Sequence, residues 1–355
     1  MVLSRRAALR LEPDRLATDD GALDALHTRV LATGGSVTAA IELAVDLATS
    51  VPLPGSGKTT ALWSALATIA AADVSVARVV EPHLDALAIL GQLPGAADIG
   101  VVGADAESAW GVFAAEGAGL RVAATSRDGS WVLDGVKPWC SLAGRLSHAL
   151  VTAHTRGGRR LFAIDLAHDG VRVMHGEWFA RGLSEVESGS IELSAVPAVP
   201  IGDDGWYLSR PGFAWGGIGV AAVWWGAAVG IARTLDESVR ARDPDQIALM
   251  HIGAIDAQIE IGRLALAAAA ASVDRDDPDR GETRILAQRT RSIVAGAAED
   301  ILRRCAHAMG PAPLARDARH AGRVADLELY LRQDHAERDE AELGRALLVR
   351  EARPW

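Results

Sequence analysis

The segment GSWVLDGVKPWCS at positions 129–141 restricts the fold of this chain more than any other feature. An Arg-Asp-Gly turn at 127–129 separates two β-rich runs, at 120–125 and 130–133. A turn of this composition between two such runs is a strong short-range signal for a β-hairpin. The sequence therefore predicts a strand pair near the middle of the chain.

The end of the second predicted strand carries two side chains that suit a ligand. Gly135 and Pro138 break the strand pairing and turn the chain away from the sheet. A strand end bent in this way can hold Trp139 and Ser141 against a planar ligand, because the indole supplies apolar area and the hydroxyl a hydrogen bond. An isolated Trp-x-Ser is more often a core Trp beside a surface Ser, so the neighbouring segments must decide.

Hydrophobic periodicity divides the chain into three blocks and predicts an α+β fold. Residues 1–105 form a predicted helical N-terminal domain, because apolar residues recur at helical spacing. Residues 106–203 are rich in Val, Trp, Thr and Ser between regularly spaced turns, which predicts an antiparallel β-barrel. Residues 204–355 return to helical periodicity with three breaks, which predicts a C-terminal bundle of four long antiparallel helices.

Composition and charge exclude several classes of function. A formal net charge of −10 over 355 residues, without a long basic run, argues against nucleic acid as a partner. The two cysteines, Cys140 and Cys305, supply neither a disulfide framework nor a zinc site, which favours a reducing cytoplasm. The N-terminus lacks the apolar core of a signal peptide, and the Ala-rich run at 264–273 is too short to span a bilayer. Neither export nor membrane insertion is expected.

The segment PGSGKTT at 54–60 ends like a phosphate-binding loop. Its first glycine is replaced by Pro52, and the preceding residues 37–49 are Ala-rich and helical rather than a buried strand. A phosphate-binding loop needs such a strand so that backbone N–H groups converge on the phosphates. We therefore expect a turn followed by a helix that begins at Thr59 or Thr60.

Further segments follow the Trp-x-Ser motif in a fixed order. The run L-D-G-x-K-x-W-x-S at 133–141 is followed by HALVTA at 148–153, RLFAID at 160–165, GVRV at 170–173, WFARG at 178–182 and SIELSAVP at 190–197. Upstream lie AADVSVA at 71–77 and His83, and downstream RPGF at 210–213 and GAAVG at 226–230. In this order, the segments resemble the acyl-CoA dehydrogenase superfamily over roughly residues 20–345.

The resemblance implies FAD held between the barrel and the bundle, often with a second subunit completing the site. Trp139 and Ser141 then lie along the flavin ring, with the hydroxyl near its N5 atom. The earlier flavin loop of the family corresponds to 112–119, which has lost the usual threonine and serine. Backbone groups are expected to make the ring contacts there.

The residues for the other half of FAD are less well matched. Gln246 falls on the cofactor-contacting glutamine of the family. Arg240 or Arg242 is a candidate donor to the pyrophosphate, and a solvated helix end is an equal alternative for both. The Gly-Gly turn of the family is replaced by AMGPAP at 308–313.

The catalytic base is the largest departure from the family. Dehydrogenation needs a carboxylate to remove the α-proton while a hydride moves to the flavin. The two positions that carry the family's glutamate fall on Ala325 and Val220, neither of which is acidic. Asp326 is the candidate base if the register slips by one residue. The remaining alternatives are Glu328, Asp334, His320 and His335, all of which suit a solvated helix face as well.

Three functions are compatible with the resemblance. The first is FAD-dependent α,β-dehydrogenation of an acyl-CoA thioester to the trans-2-enoyl-CoA, as in fatty acid metabolism, with an electron-transfer flavoprotein or another acceptor. The second is a flavin-dependent monooxygenase, which needs no such base. The third is a non-catalytic subunit of a heteromeric dehydrogenase. The Ala- and Gly-rich face at 216–230 further predicts a homodimer or homotetramer, with Trp224 and Trp225 in that interface or in the core.

Overall fold

The computed structural model describes residues 7–12, 21–241, 243–275 and 280–350. The first block forms the helices α1 (Gly21–Ala32), α2 (Val37–Leu47), α3 (Thr59–Ala72) and α4 (Val74–Gly91). Asp73 separates α3 from α4, since its carboxylate accepts the amide of Val76 at 3.0 Å and so caps α4. The predicted helical N-terminal block is confirmed.

The loop that resembles a phosphate-binding loop is a turn before α3, as expected. The helix begins at Thr59, and the carboxylate of Asp274 lies at its N-terminus. Asp274 accepts the amides of Gly57 at 3.1 Å and Thr59 at 2.9 Å, and the Thr59 hydroxyl at 2.6 Å. An internal carboxylate therefore fills the position where a helix N-terminus would bind a phosphate.

The middle block is a closed barrel. Its strands are β1 (Trp110–Phe113), β2 (Val122–Arg127), β3 (Ser130–Lys137), β4 (His148–His154), β5 (Arg159–Asp165), β6 (Val171–Val173) and β7 (Ile191–Ile201). The order β4-β2-β3-β7-β5 closes because β5 also pairs with β4, while β1 adds to β4 and β6 to β7. Leu133, Phe162 and Val196 are among the fully buried residues of its core.

The barrel differs from the prediction in direction at two pairings. The β1–β4 and β2–β4 pairs are parallel, whereas the sequence predicted antiparallel strands throughout. The connection at 138–147 carries the chain from β3 across β2. Strand β4 therefore pairs with the far side of β2 and runs in the same direction as β2. The predicted β2–β3 hairpin is confirmed, but Gly135 shifts the register against β7 without ending β3, which continues to Lys137.

The last block is helical, with fewer long helices than predicted. It contains α5 (Trp206–Ser209), α6 (Pro211–Arg240), α7 (Gln246–Val273), α8 (Arg280–Met309), α9 (Pro311–Arg316), α10 (Ala318–Tyr330) and α11 (Glu337–Leu348). The helices α6, α7 and α8 are the long members, and the chain after Gly310 is divided among three short ones. Asp317 causes one of these divisions by capping α10. The domain limits at 105/106 and 203/204 stay predictions.

The Ala- and Gly-rich face of α6 is buried within one chain. An added Cβ at Gly226 would lie 2.2 Å from the carbonyl oxygen of Ala67, and one at Gly230 would lie 2.6 Å from that of Ala71. Small residues thus let α6 approach α3 closely, so this face packs inside the protein rather than against a second copy. Trp224 and Trp225 are core residues, 0% and 3% exposed.

Helix α6 is also the one described helix long and apolar enough to span a bilayer. Of its most apolar window, 83% is buried inside the protein. The core position of α6 between α3 and α8 therefore explains its apolar composition.

Candidate functional site

The segment after β3 presents an exposed indole on a constrained backbone. Trp139 has a left-handed φ of 60° and is 60% exposed. Such a φ is unfavourable for a residue with a side chain, so neighbouring contacts must hold it. The amides of Cys140 and Leu142 supply those contacts, donating to the carbonyls of Gly189 and Glu187 at 2.7 Å each. An indole fixed in this way offers a flat surface for a planar ligand.

The hydroxyl of Ser141 is the point where three parts of the chain meet. Its Oγ lies 2.7 Å from the Oγ of Ser188, which precedes β7. It also accepts a hydrogen bond from Nη2 of Arg78, on α4, at 3.1 Å. The charged group that contacts Ser141 is therefore a guanidinium, which favours negative charge on a ligand at this position.

A chain of contacts leads from Arg78 into the interior. The Arg78 guanidinium lies 5.5 Å from the centroid of the Tyr330 ring, at the end of α10. The Tyr330 hydroxyl donates to Oε2 of Glu81 at 3.2 Å, and burial raises the pKa of Tyr330 well above its usual value. Trp224 contacts the Tyr330 ring edge to face, and the Arg291 guanidinium lies 4.7 Å above the Trp224 ring. These contacts fix the Tyr330 hydroxyl on Glu81.

Glu81 has the properties of an acid–base group. Burial raises its pKa to about 7, against the opposing effects of Arg78 and of the hydrogen bond from Tyr330. Asp85, one turn further along α4, raises the Glu81 pKa as well. The pKa of Asp85 is itself raised by burial and lowered by Arg210. A carboxyl that titrates near neutral pH can take up and release a proton during turnover.

Glu81 and Asp85 are the acidic residues of a narrow apolar cleft. The cleft lies between α3, α4, α6 and the loop after α2, and its cavity volume is only about 40 Å³. Its apolar walls include Leu53, Leu62, Trp63, Leu66, Leu84 and Trp215. Burial beside these apolar walls is the main cause of the raised pKa values of Glu81 and Asp85.

Asp326, the candidate base from the sequence, holds a loop in place. Its Oδ1 accepts the amide of Leu183 at 2.5 Å, and its Oδ2 accepts the Ser75 hydroxyl at 3.3 Å. The loop is close enough that an added Cβ at Gly182 would lie 1.9 Å from the carbonyl oxygen of Ala325. Burial raises the pKa of Asp326. In the described part of the chain, no hydrogen bond or ion pair joins Asp326 to Trp139 or Ser141.

The alternatives to Asp326 lie in α10 or in the residues directly after it. Asp334 is 3.8 Å from Nη2 of Arg291, and burial raises its pKa. Glu328 is exposed and His335 pairs with Asp339 at 3.2 Å. His320 is buried in α10. As a base, each of these residues stays a prediction.

The residues predicted for the other half of FAD are spread over the surface. Gln246 is exposed in the first turn of α7. Arg240 pairs with Asp236 at 2.8 Å on α6, and Arg242 lies outside the described residues.

An ion-pair cluster joins the predicted flavin loop to β3. The Lys137 ammonium is 2% exposed and donates to Thr152 at 2.8 Å and to Glu116, in the loop, at 3.1 Å. Glu116 also lies 3.2 Å from Arg159 and 3.3 Å from His154. Burial lowers the pKa of Lys137, and the Glu116 carboxylate opposes that effect. The loop is therefore fastened two residues before Trp139.

Glu81 was missed in the sequence analysis, although the spacing of charged residues in α4 indicates it. Arg78, Glu81 and Asp85 lie at helical spacing in α4, a helix that is otherwise mostly buried. Charged side chains inside a buried helix must be paired, and paired buried charges concentrate at functional sites. Periodicity alone could not give their partner, because Tyr330 is far away in the sequence.

Comparisons with solved structures establish the class of fold. No protein-family model matches the sequence, and no curated protein matches it. The barrel between two helical blocks is nevertheless shared with solved proteins over nearly the whole chain, and it is the acyl-CoA dehydrogenase fold. The fold predicted from the resemblance is confirmed.

Three of these structures illustrate the similarity. KijD3 in complex with FMN and dTDP-3-amino-2,3,6-trideoxy-4-keto-3-methyl-D-glucose has a TM-score of 0.78 and 19% identity, over 93% of this chain and 92% of KijD3. FMN-bound TdsC from Paenibacillus sp. A11-2, a dibenzothiophene monooxygenase, has a TM-score of 0.75 and 20% identity, over 94% and 98% of the two chains. Butyryl-CoA dehydrogenase from Megasphaera elsdenii has a TM-score of 0.76 and 17% identity, over 94% and 99%.

Proposed function

We propose that this protein is a flavin-dependent monooxygenase that acts on an apolar substrate. The observation that carries the proposal is the contact between the Arg78 guanidinium and Ser141, the hydroxyl expected beside the flavin ring. A dehydrogenase needs a carboxylate near the reacting atoms, whereas oxygen activation by reduced flavin needs a positive environment and little water. Arg78 supplies that positive charge beside Ser141.

The residues at the end of β3 fit the ring of a flavin. The exposed Trp139 indole offers a stacking surface, Ser141 and Ser188 offer hydroxyls, and Arg78 offers a cation. When bound and reduced by a separate reductase, the flavin would supply two electrons, and with two protons and two electrons from the substrate, O2 would give one oxygen atom to the substrate and one to water. This chain positions the ring, excludes water and holds a proton on Glu81.

The nucleotide form of the flavin is FMN in this proposal, in place of the FAD implied by the sequence. Support comes from Arg240, a predicted donor to the pyrophosphate, which pairs with Asp236 instead. KijD3 and TdsC also contain FMN in their solved structures. Release of the cofactor by heat, followed by chromatography, tests this point, since FMN supports the proposal and FAD contradicts it.

Oxygen consumption with a separate flavin reductase tests the reaction. The purified chain is supplied with FMN, NADH, a reductase and a panel of aromatic and aliphatic compounds, and products are sought by mass spectrometry. We expect one compound to gain a single oxygen atom only when this chain is present. Oxygen uptake that yields only hydrogen peroxide with every compound would contradict the proposal.

Acyl-CoA dehydrogenation is the second candidate function. It is favoured by Glu81, a carboxyl whose pKa burial raises to about 7 and which lines the apolar cleft. Here Glu81, rather than Asp326, would take the α-proton, and an electron-transfer flavoprotein would take the electrons. Loss of the flavin absorbance on adding an acyl-CoA without oxygen would support dehydrogenation. A chain that binds no flavin would instead support a non-catalytic subunit of a heteromeric enzyme.

We further propose that the chain forms a homo-oligomer through α7. Five large apolar residues of this helix stay exposed: Ile247, Leu249, Met250, Ile261 and Leu264. Exposed apolar residues concentrated on one helix are typical of an interface. Light scattering on the purified chain is expected to give a dimer or tetramer, and a monomer at all concentrations would contradict this proposal.

A further inference from the structure

A second cleft, far from the apolar one, concentrates positive charge. It lies between α1, the end of α3, the second half of α6 and the start of α10, and has a cavity volume of about 580 Å³. Three arginines line it, Arg233 from α6 and Arg319 and Arg323 from α10. Arg233 lies roughly 20 Å along α6 from Gly219, which lines the apolar cleft. The two clefts are therefore separate sites.

Among the described residues, no carboxylate forms an ion pair with Arg319 or Arg323 of α10. Arg323 donates to the carbonyl oxygens of Ala71 and Ala72 at 3.2 and 2.5 Å, and both are neutral acceptors. The side chain of Arg319 is exposed at the mouth of the cleft. Guanidinium groups held in this way keep N–H donors and charge for a ligand.

The field inside the cleft is positive. Burial lowers the pKa of His27, and three cations, Arg233, Arg323 and Arg319, lower it further, whereas Asp24 alone raises it. Burial and then Arg319 lower the pKa of Arg323 to about 10. Asp73 and Asp317 raise the pKa of Arg323, but less than burial and the neighbouring arginines lower it.

The carboxylates that line the cleft are Asp236, Glu237 and Asp317. Asp236 pairs with Arg240 at 2.8 Å, and Asp317 accepts the amides of Arg319 and His320 at 3.0 Å each. These two acids thus have partners of their own. They leave the charge of Arg319 and Arg323 directed at the open space.

His320 adds a buried donor or acceptor to the same cleft. It is 3% exposed and lines the cleft, and its Nδ1 atom has no hydrogen-bond partner in the described part of the structure. A buried polar atom without a partner is costly unless a ligand or water satisfies it. His320 also lines a neighbouring cleft between α8 and α10, and in either cleft a ligand could satisfy this atom.

We propose that this cleft binds the phosphate group of a phosphorylated small molecule. Arg319 and Arg323 would bind the phosphate oxygens through charge-assisted hydrogen bonds, for which the planar guanidinium is well suited. The size of the cleft allows a nucleotide or another phosphate ester. The phosphate belongs either to a free metabolite or to a flavin nucleotide carried by a second copy of the chain.

Calorimetric titration of the full chain with inorganic pyrophosphate tests the proposal. We expect the wild-type chain to bind pyrophosphate and Arg319→Glu to bind it at least roughly tenfold more weakly, because a charge-assisted contact is replaced by repulsion. Arg316→Glu is the matched control, since Arg316 is an exposed arginine three residues away that does not line the cleft. It should change the affinity less than about twofold. Equal losses in the two variants, or no binding by the wild type, would overturn the proposal.

A second pair of titrations identifies the source of the phosphate. If Arg319→Glu weakens binding of FMN but not of riboflavin, the cleft holds the phosphate of the flavin. If it weakens pyrophosphate alone, the cleft holds a free phosphate ester. Arg323→Lys keeps the charge and the contact with α3 but loses the guanidinium fork, so it should weaken pyrophosphate binding less than Arg319→Glu does.

Discussion

At the scale of single residues, Glu81 is the proposed acid–base group of the site. It is a buried carboxyl that titrates near pH 7, accepts the Tyr330 hydroxyl and faces an apolar cleft. Arg78 lies one turn before it and contacts Ser141. A proton on Glu81 and a positive charge on Arg78 are thus held close to the expected flavin. Each can be removed separately.

Replacing Glu81 by Gln should change how stability depends on pH. The pKa of Glu81 is about 7 in the folded chain and 4.5 without the protein environment. Between these values the folded state keeps a proton that the unfolded state has released, so wild-type stability falls as pH rises. Denaturant unfolding should show Glu81→Gln gaining stability relative to wild type from about pH 4.5 to 7, then no further change. A constant difference over this range would contradict the assigned burial of Glu81.

Arg78→Met should impair the reaction more than the binding of flavin. Methionine keeps the apolar stem near Tyr330 but removes the charge that contacts Ser141. Removing one electrostatic donor from an active site typically costs about 10²–10³ in rate. We expect product formation to fall by this order while FMN binding changes less than about tenfold. Equal activity of Arg78→Met and wild type would exclude this role for Arg78.

Asp326→Asn separates the structural role of Asp326 from a role as base. The amide replaces a carboxylate that accepts the Leu183 amide and the Ser75 hydroxyl. We expect a loss of about 1–3 kcal/mol in unfolding free energy, because a charged acceptor in a buried contact is weakened. Turnover per folded molecule should stay near the wild-type value. Complete loss of turnover at unchanged stability would instead support Asp326 as the base.

At the scale of elements, α4 and the strand end after β3 form the site together. Pro82, in the middle of α4, has no N–H, so the carbonyl of Arg78 lacks its usual partner one turn later. The Nδ1 atom of His83 accepts the amide of Trp110, which joins α4 to β1 at 3.2 Å. The contact at His83 therefore fixes α4 to the barrel within the segment that carries Arg78, Glu81 and Asp85.

The close contact between α3 and α6 gives a prediction about packing. Gly226→Ala places a Cβ 2.2 Å from the Ala67 carbonyl, so α6 must move away, which should cost about 1–3 kcal/mol. Gly253→Ala is the control, since no atom lies within 4 Å of its Cβ position on α7. That change should be neutral or stabilise by up to about 1 kcal/mol, because alanine favours a helix. Thermal unfolding measures both, and equal effects would contradict the packing.

At the scale of the whole molecule, the sequence predicted the order of blocks but not the contacts between them. The β2–β3 hairpin, the start of α3 at Thr59 and the barrel between two helical blocks followed from local patterns. The parallel pairing of β2 with β4 and the bond from Tyr330 to Glu81 join residues far apart in sequence, where periodicity carries no information. The sequence predicts an interface for the Ala- and Gly-rich face of α6, because a sequence does not show that α3 covers this face.

The measurement that bears on the whole proposal is flavin binding by wild type, Trp139→Ala and Phe179→Ala. Trp139 and Phe179 are both exposed aromatic residues, at 60% and 86%, but only Trp139 lies at the proposed ring site. We predict that fluorescence titration with FMN shows saturable binding by wild type and Phe179→Ala, and a loss of roughly tenfold in Trp139→Ala, since an aromatic stacking contact is worth about 1–3 kcal/mol. Absence of binding to the wild type, or equal affinity in all three proteins, would contradict a flavin at this site.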